Sequence, residues 1–307
     1  MVVQGPCIVA ENGMVPNPNR WTENFNLIAL DHPVGVGASY GTQVNNSRST
    51  AIDVYDFLQK FFHLFPHLVH LFYRGNIAFV AGKGQPGAVH IDLESRMVSN
   101  PISDATSHFA WLLQTRCYDV PDMYNASTCA EMVEILPTRL ESIQFVQQTP
   151  EWSVERRVAA QDICQKLQLG DTHDTVVEDV RKKAVLLQRA QVSEIWRHNS
   201  IIILDVWTAS HGRNSSLALC RSGGCQLRLT WSNFILLQSP FQDEFLRARD
   251  VPWPSAEDAT VRVVGDGAGN MTYILVAQGG HFVARDQPAL VESIIDHWVE
   301  NVPFVFA

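Results

Sequence analysis

Asn76-Ile-Ala-Phe-Val-Ala-Gly-Lys-Gly-Gln-Pro-Gly87 runs from an apolar stretch straight into a glycine-rich turn. A short apolar run bounded by turn residues reads as a buried strand, and the glycines permit a tight reversal into a following helix. Upstream, Thr50-Ala-Ile-Asp53 has the pattern of a helix-starting capping box. Ala51, Val54, Tyr55, Leu58, Phe61 and Phe62 then recur at helical spacing until Pro66. Further upstream, Phe25-Asn-Leu-Ile-Ala-Leu30 reads as another buried strand, leading into Pro33-Val-Gly-Val-Gly37. Strand, turn and helix in alternation predict an α/β fold with a mostly parallel sheet flanked by helices.

Residues 105–197 change character. Helical periodicity is expected over 130–148, 154–167 and 175–195, as in a helical cap or insertion. Ile201-Ile-Ile-Leu204 then restarts the sheet, and Met271 to Ala277 supplies another strand. A final helix over 289–298 places Leu290, Val291, Ile294, Ile295 and Trp298 on one face. The expected organisation is a core made of 1–104 and 198–307 with a cap of 105–197, and no internal repeat or low-complexity segment interrupts it.

At 307 residues and 46% hydrophobic content the chain can bury a large core. A net charge of −9 without a basic run argues against nucleic acid or an anionic membrane as partner. No run reaches the roughly 18 apolar residues that a membrane span needs. Residues 1–12 lack the basic and apolar regions of a secretory signal, so a cytoplasmic location is expected if Met1 is the true start.

Six cysteines (Cys7, Cys117, Cys129, Cys164, Cys220 and Cys225) and four Asn-x-Ser/Thr sequons, at Asn45, Asn125, Asn214 and Asn270, point towards exported ancestry and candidate glycosylation sites. Cys220 and Cys225 fit either a disulfide hairpin or two unrelated thiols; zinc is disfavoured because no second close pair accompanies them. His90, Asp92 and Glu94 alternate like metal ligands, but without a second cluster they read as surface residues of a loop. Neither a metal nor another cofactor is expected.

Several separated segments resemble the serine carboxypeptidase family of the α/β-hydrolase superfamily, its fungal members above all. They are Cys7, Glu11-Asn-Gly13, Pro16-Asn-Pro-Asn19, Trp21 and Leu30-Asp-His-Pro-Val-Gly-Val-Gly-Ala-Ser-Tyr-Gly41 near the start, and the helix ending in Phe61-Phe62 and Phe65-Pro66. Near the end, Thr272-Tyr273, Gly279-Gly-His-Phe-Val283 and Asp286-Gln-Pro288 resemble the family's histidine motif. The resemblance covers about two thirds of the chain. It implies an α/β-hydrolase-like core with a helical cap, serine peptidase chemistry, and a secreted or vacuolar location. It leaves a homodimer open, as dimers occur in parts of the family.

That chemistry needs a serine on a strand-to-helix elbow, a histidine to take its proton, and an acid to orient the imidazole. His281 stands in the base position, but the elbow Gly82-Lys-Gly-Gln-Pro-Gly87 has Gly84 where the family has serine. Lys83 replaces a glutamate that reads the substrate's terminal carboxylate, and reads either as a plain ion-pair partner for a carboxylate or as a solvated residue of a surface loop; Gln85 keeps only a backbone N–H as an oxyanion donor. Asp205 after the 201–204 strand is a weak acid candidate, about four residues early. The family's Gly-Gly-Pro-Gly oxyanion segment would precede the matched stretch, which implies an N-terminal truncation. The family's Ile-Gly-Asn-Gly strand is abbreviated to Val98-Ser-Asn-Pro-Ile102, leaving part of the sheet in doubt.

Gly37-Ala-Ser-Tyr-Gly41 also fits Gly-x-Ser-x-Gly, but no helix follows at once, and the adjacency of Ser210 and His211 does not place a base on a nucleophile. Two readings remain. One is a catalytically inactive carboxypeptidase-like protein that holds a peptide or small-molecule ligand if its pocket persists. The other is an active carboxypeptidase or acyl-transfer hydrolase using a relocated nucleophile with His281.

Overall fold

The computed structural model describes residues 5–10, 13–44, 47–74, 86–99, 105–119, 124–148, 175–176, 179–183, 215–221, 239–255, 257–279 and 283–305. The chain divides into two compact units, Met1–Pro101 with Ala190–Arg221 and Gln238–Ala307, and Ile102–Arg189 with Ser222–Leu237.

In the first unit, β1 (Cys7–Ala10) and β2 (Gly13–Pro16) form an antiparallel pair. Asn17 closes it: its backbone N–H donates to the Pro6 carbonyl at 2.8 Å and its buried Nδ2 to the Gly5 carbonyl at 2.9 Å. Trp21 follows in a short 3₁₀ turn and enters the core. The main helix, α1 (Ser47–Leu64), starts three residues before the expected cap at Thr50. Ala51, Val54, Leu58 and Phe62 are its buried stripe, as the periodicity predicts. Pro66 opens a separate 3₁₀ turn beyond the helix, consistent with its lack of a donor.

The sheet has six strands: β3 (His70–Arg74), β4 (Asp92–Ser99), β7 (Ser215–Arg221), β8 (Val251–Pro252), β9 (Ala259–Val264) and β10 (Met271–Val276). The intervening β5 and β6 belong to the second unit. Its order is β3-β4-β7-β10-β9-β8. The first four strands are mutually parallel, while β9 and β8 add antiparallel strands at one side. Five of the six β10 residues are buried, as expected of an interior strand covered on both faces.

Against β10 pack α5 (Val283–Asp286) and α6 (Pro288–Val299), which follow the short α4 (Gln242–Arg247). Pro288 sits in the first turn of α6, where its missing N–H costs nothing. Val291, Ile294, Ile295 and Trp298 form the buried stripe and join Ile274, Val276, Val261 and Trp253 in one core. Each such fully buried side chain contributes about 1.5–3 kcal/mol. Asn301, in the left-handed region at φ 56°, ends the helix; its Oδ1 accepts the Ala268 N–H at 3.0 Å.

The second unit contains α2 (Ala105–Gln114), a π-helical turn (Thr115–Asp119), α3 (Ala126–Gln148), β5 (Thr175–Val176) and β6 (Asp179–Lys183). A disulfide joins Cys117 in the π turn to Cys129 in α3, Cα to Cα 5.7 Å. Tyr124 and Met132 pack there with Leu113, Ile135 and Leu136.

Three expectations are corrected. The stretch 26–30 forms no strand, and Ile28 and Leu30 are each 38% exposed; Phe25 alone of the run packs against the core. Residues 175–183 contain an antiparallel strand pair where helix was expected. There the β-branched Thr175, Val176 and Val180 favour extended backbone over the apolar spacing that suggested a helix. Finally, Asp92 and Glu94 lie in β4, not in a loop, so the sheet continues where the abbreviated motif had put it in doubt. The strands expected at 76–81 and 201–204 and the helix at 154–167 lie outside the described residues.

Candidate active site

The four parallel strands end on one edge of the sheet, at Arg74, Ser99, Arg221 and Val276. In open α/β sheets, ligands and catalytic loops gather at this carboxyl edge. The segment carrying Lys83, Gly84 and Gln85 follows β3, and the segment carrying His281 follows β10. These four residues and Asp205 lie outside the described residues, as do Asn45, Asn214 and Ser210-His211.

Both flanks of the histidine segment are firmly placed. Thr272, Ile274 and Val276 are buried before it, and Val283 and Ala284 after it. The Ala277 N–H donates to the Asp258 carbonyl at 2.7 Å, and Gln278 takes a left-handed φ of 56° to turn the chain off the strand. A Cβ on Gly279 would lie 2.9 Å from Val283 Cγ2, so strand end and helix start approach closely enough to require glycine.

The strand beside β10 is β7, which was not expected from the sequence; the strand expected at 201–204 lies outside the described residues. The segment that follows β7, residues 222–238, lies outside the described residues. That segment begins Ser222-Gly-Gly-Cys225, and no Asp or Glu occurs between Arg221 and Asp243. The signal for β7 was present in Leu217-Ala-Leu-Cys220, a short apolar run with Gly223 and Gly224 shortly after it.

The serine of the Gly-x-Ser-x-Gly match has a different role. Ser39 Oγ donates to the Asp31 carbonyl at 2.5 Å, and its N–H donates to the Val36 carbonyl at 3.0 Å. Asp31 Oδ2 accepts the Ala38 N–H at 2.9 Å, and the Gly35 N–H donates to the Ser39 carbonyl at 2.9 Å. Gly35 and Gly37 take left-handed φ of 97° and 53°. This is a closed, self-bonded loop, and the next helix begins only at Ser47. A nucleophile elbow instead leads directly from strand into helix. Next to it, burial holds the His32 imidazole below its ordinary value, with the Asp53 carboxylate pulling partly back.

Among the described residues, no group of His, Cys, Asp and Glu is arranged to hold a metal ion. His90 is exposed. Cys7 is a free thiol, and Cys225 falls outside the described residues. Nor is any helix among them long and apolar enough to cross a membrane.

A family model described as serine carboxypeptidase matches residues 2–198. Carboxypeptidase Y homolog A of Ajellomyces capsulatus is 26% identical over 337 aligned positions, covering 92% of this chain and 61% of that protein. Carboxypeptidase Y of Candida albicans is 29% identical over 184 positions, 56% of this chain and 34% of that one. The chain thus spans about 61% of the length of the first of these relatives. Among solved structures, a prohormone-processing carboxypeptidase from Saccharomyces cerevisiae superposes with a TM-score of 0.64 at 13% identity, covering all of this chain and 80% of that one. That likeness shows the α/β-hydrolase fold, and the family match over most of the chain shows that it belongs to the serine carboxypeptidase family.

Proposed function

We propose that this chain is a serine carboxypeptidase homologue that does not turn over peptides. The observation that carries the reading is Gly84 at the elbow position where the family has its serine. Glycine has no group to form an acyl intermediate, and the Gln85 side chain is an amide, not a usable nucleophile. In subtilisin, loss of the triad serine costs on the order of a million-fold in turnover, with the residual rate coming from oxyanion and binding contacts.

Two further features support the reading. An orienting acid holds the catalytic imidazole in the correct tautomer, yet Asp205, the candidate for that role, stands about four residues early of the family's register. The hydroxyl of Ser39, in the alternative motif, is donated to a backbone carbonyl. His281 is then a remnant base, and Asp205 a weak acid candidate out of register. Lys83 in place of the carboxylate-reading glutamate favours a carboxylate-bearing peptide or small molecule, held as an ion pair, as the ligand of the remnant pocket. The second reading, a relocated nucleophile working with His281, rests on the well-anchored flanks of that histidine.

The test is mass-spectrometric detection of an adduct after treating the purified chain with a fluorophosphonate, alongside release of the C-terminal residue from a blocked dipeptide. Neither adduct nor release is expected from protein that unfolds cooperatively. An adduct on a mapped serine together with release would overturn the proposal and identify the relocated nucleophile.

A further inference from the structure

Two of the four sequons lie among the described residues, and their surroundings differ sharply. Asn125-Ala126-Ser127 is exposed along its whole length at the start of α3. Asn125 Oδ1 accepts the Thr128 N–H at 2.8 Å and the Ser127 hydroxyl at 2.7 Å, while its carbonyl accepts the Cys129 N–H at 3.0 Å. The side chain therefore caps the helix through its oxygen. An N-linked sugar is attached to Nδ2 and leaves that oxygen, and so the cap, in place.

Asn270-Met271-Thr272 closes the hairpin between β9 and β10. The Asn270 N–H donates to the Val264 carbonyl at 2.7 Å, and Thr272, 1% exposed, donates its hydroxyl to the Ala268 carbonyl at 2.6 Å. A Cβ on Gly265 would lie 2.5 Å from Asn270 Nδ2, so the amide nitrogen is packed against the opposite side of the turn. A sugar there would have to open the hairpin that feeds β10, five of whose six residues are buried.

An independent feature indicates a compartment where such transfer occurs. The loop holding Asn125 is closed by the Cys117–Cys129 disulfide, 12 residues apart in sequence. Structural disulfides persist in oxidising environments, above all in secreted and luminal proteins.

We propose that Asn125 carries an N-linked glycan and that Asn270 carries none in the folded protein. In the transfer, Asn125 Nδ2 attacks the anomeric carbon of an oligosaccharide carried on a polyprenyl diphosphate. The C–N bond forms as the bond to the diphosphate oxygen breaks, the lipid diphosphate leaves with the electron pair, and the transferase takes the amide proton. No redox change is involved.

The test expresses the full chain behind a cleavable secretory leader in a eukaryotic host and maps occupancy by peptide mass spectrometry after enzymatic glycan release in heavy-oxygen water. Both the secreted protein and the protease-protected microsomal fraction are read, so failure to secrete does not silence the result. An occupied Asn125 with an empty Asn270 in the soluble, protease-resistant protein is expected. An unmodified Asn125 in both fractions, or comparable occupancy at Asn270 in folded protein, overturns the proposal. Asn125→Asp keeps the capping oxygen and should lose one glycan without shifting the urea midpoint; retention of the same glycan mass would also refute it.

Discussion

Replacing Gly37 by alanine probes the loop that mimics a nucleophile motif. At φ 53° an alanine pays the left-handed penalty of about 1–2 kcal/mol. Its Cβ would also crowd the Asp31 carboxylate, 2.7 Å from Oδ1 and closer still to the other carboxylate atoms. Asp31 must then swing away and release the Ala38 N–H, a hydrogen bond of 2.9 Å. Because Asp31 is exposed, that bond is taken at the low end for a charged acceptor, about 1 kcal/mol. Gly37→Ala should therefore cost about 2–3 kcal/mol, against about 1–2 kcal/mol in an Asp31→Ala background, where only the backbone penalty remains. The assay is equilibrium urea unfolding followed by tryptophan fluorescence, Trp21 being buried in the same unit. Two results refute the reasoning: costs that add to within about 0.5 kcal/mol across the cycle, or a single substitution that leaves the midpoint unmoved. Either would mean that Asp31 does not organise the loop around Gly37.

Further predictions follow from single contacts. Ser39→Ala should lower stability by about 0.5–1.5 kcal/mol through the lost bond to the Asp31 carbonyl, with fluorophosphonate labelling no different from the parent chain. Breaking the Cys117–Cys129 disulfide by Cys129→Ser should cost about 3 kcal/mol by the loop-closure argument, read in the second unit as earlier proteolysis around α3. Ile274→Ala, at a fully buried position in β10, should cost about 2–5 kcal/mol in urea unfolding. Burial depresses the His32 value below 6.5, so the unfolded chain takes up that proton first as pH falls. The associated stability is intact above pH 6.5 and lost below it, and His32→Gln should flatten the urea midpoint between about pH 7.5 and 5.5.

The parts legible in the sequence are those whose burial follows a single period. The α1 stripe from Ala51 to Phe62, the α6 stripe from Val291 to Trp298 and the buried run of β10 each matched, because one buried face imposes one spacing. Phe25 to Leu30 misled because an apolar run does not record whether a partner strand exists to take its N–H and C=O groups. The alternation of Asp92 and Glu94 that suggested ligands is equally the period of a strand, and Ser95 and Met97 on the alternate positions are buried. The Cys117–Cys129 pairing was not legible at all, since six cysteines allow 15 complete connectivities. Only the path of α2, the π turn and α3 brings those two Cα atoms to 5.7 Å.

The resemblance to active relatives separates along a physical line. Gly37 has a left-handed backbone and a neighbouring carboxylate, Asn17 bonds the β1–β2 pair twice, and Gly279 lets the chain leave β10 against Val283. Each matches the family pattern, and each has a stability role that does not depend on turnover. A nucleophile, a substrate-reading glutamate and a triad acid have no such second role; held in strained or mutually repelling arrangements, they often cost stability. On the proposed reading, in which turnover is lost, substitutions at the second group are free or favourable, while those at the first still destabilise the fold. On that proposed reading Gly84 and Lys83 fall in the second group.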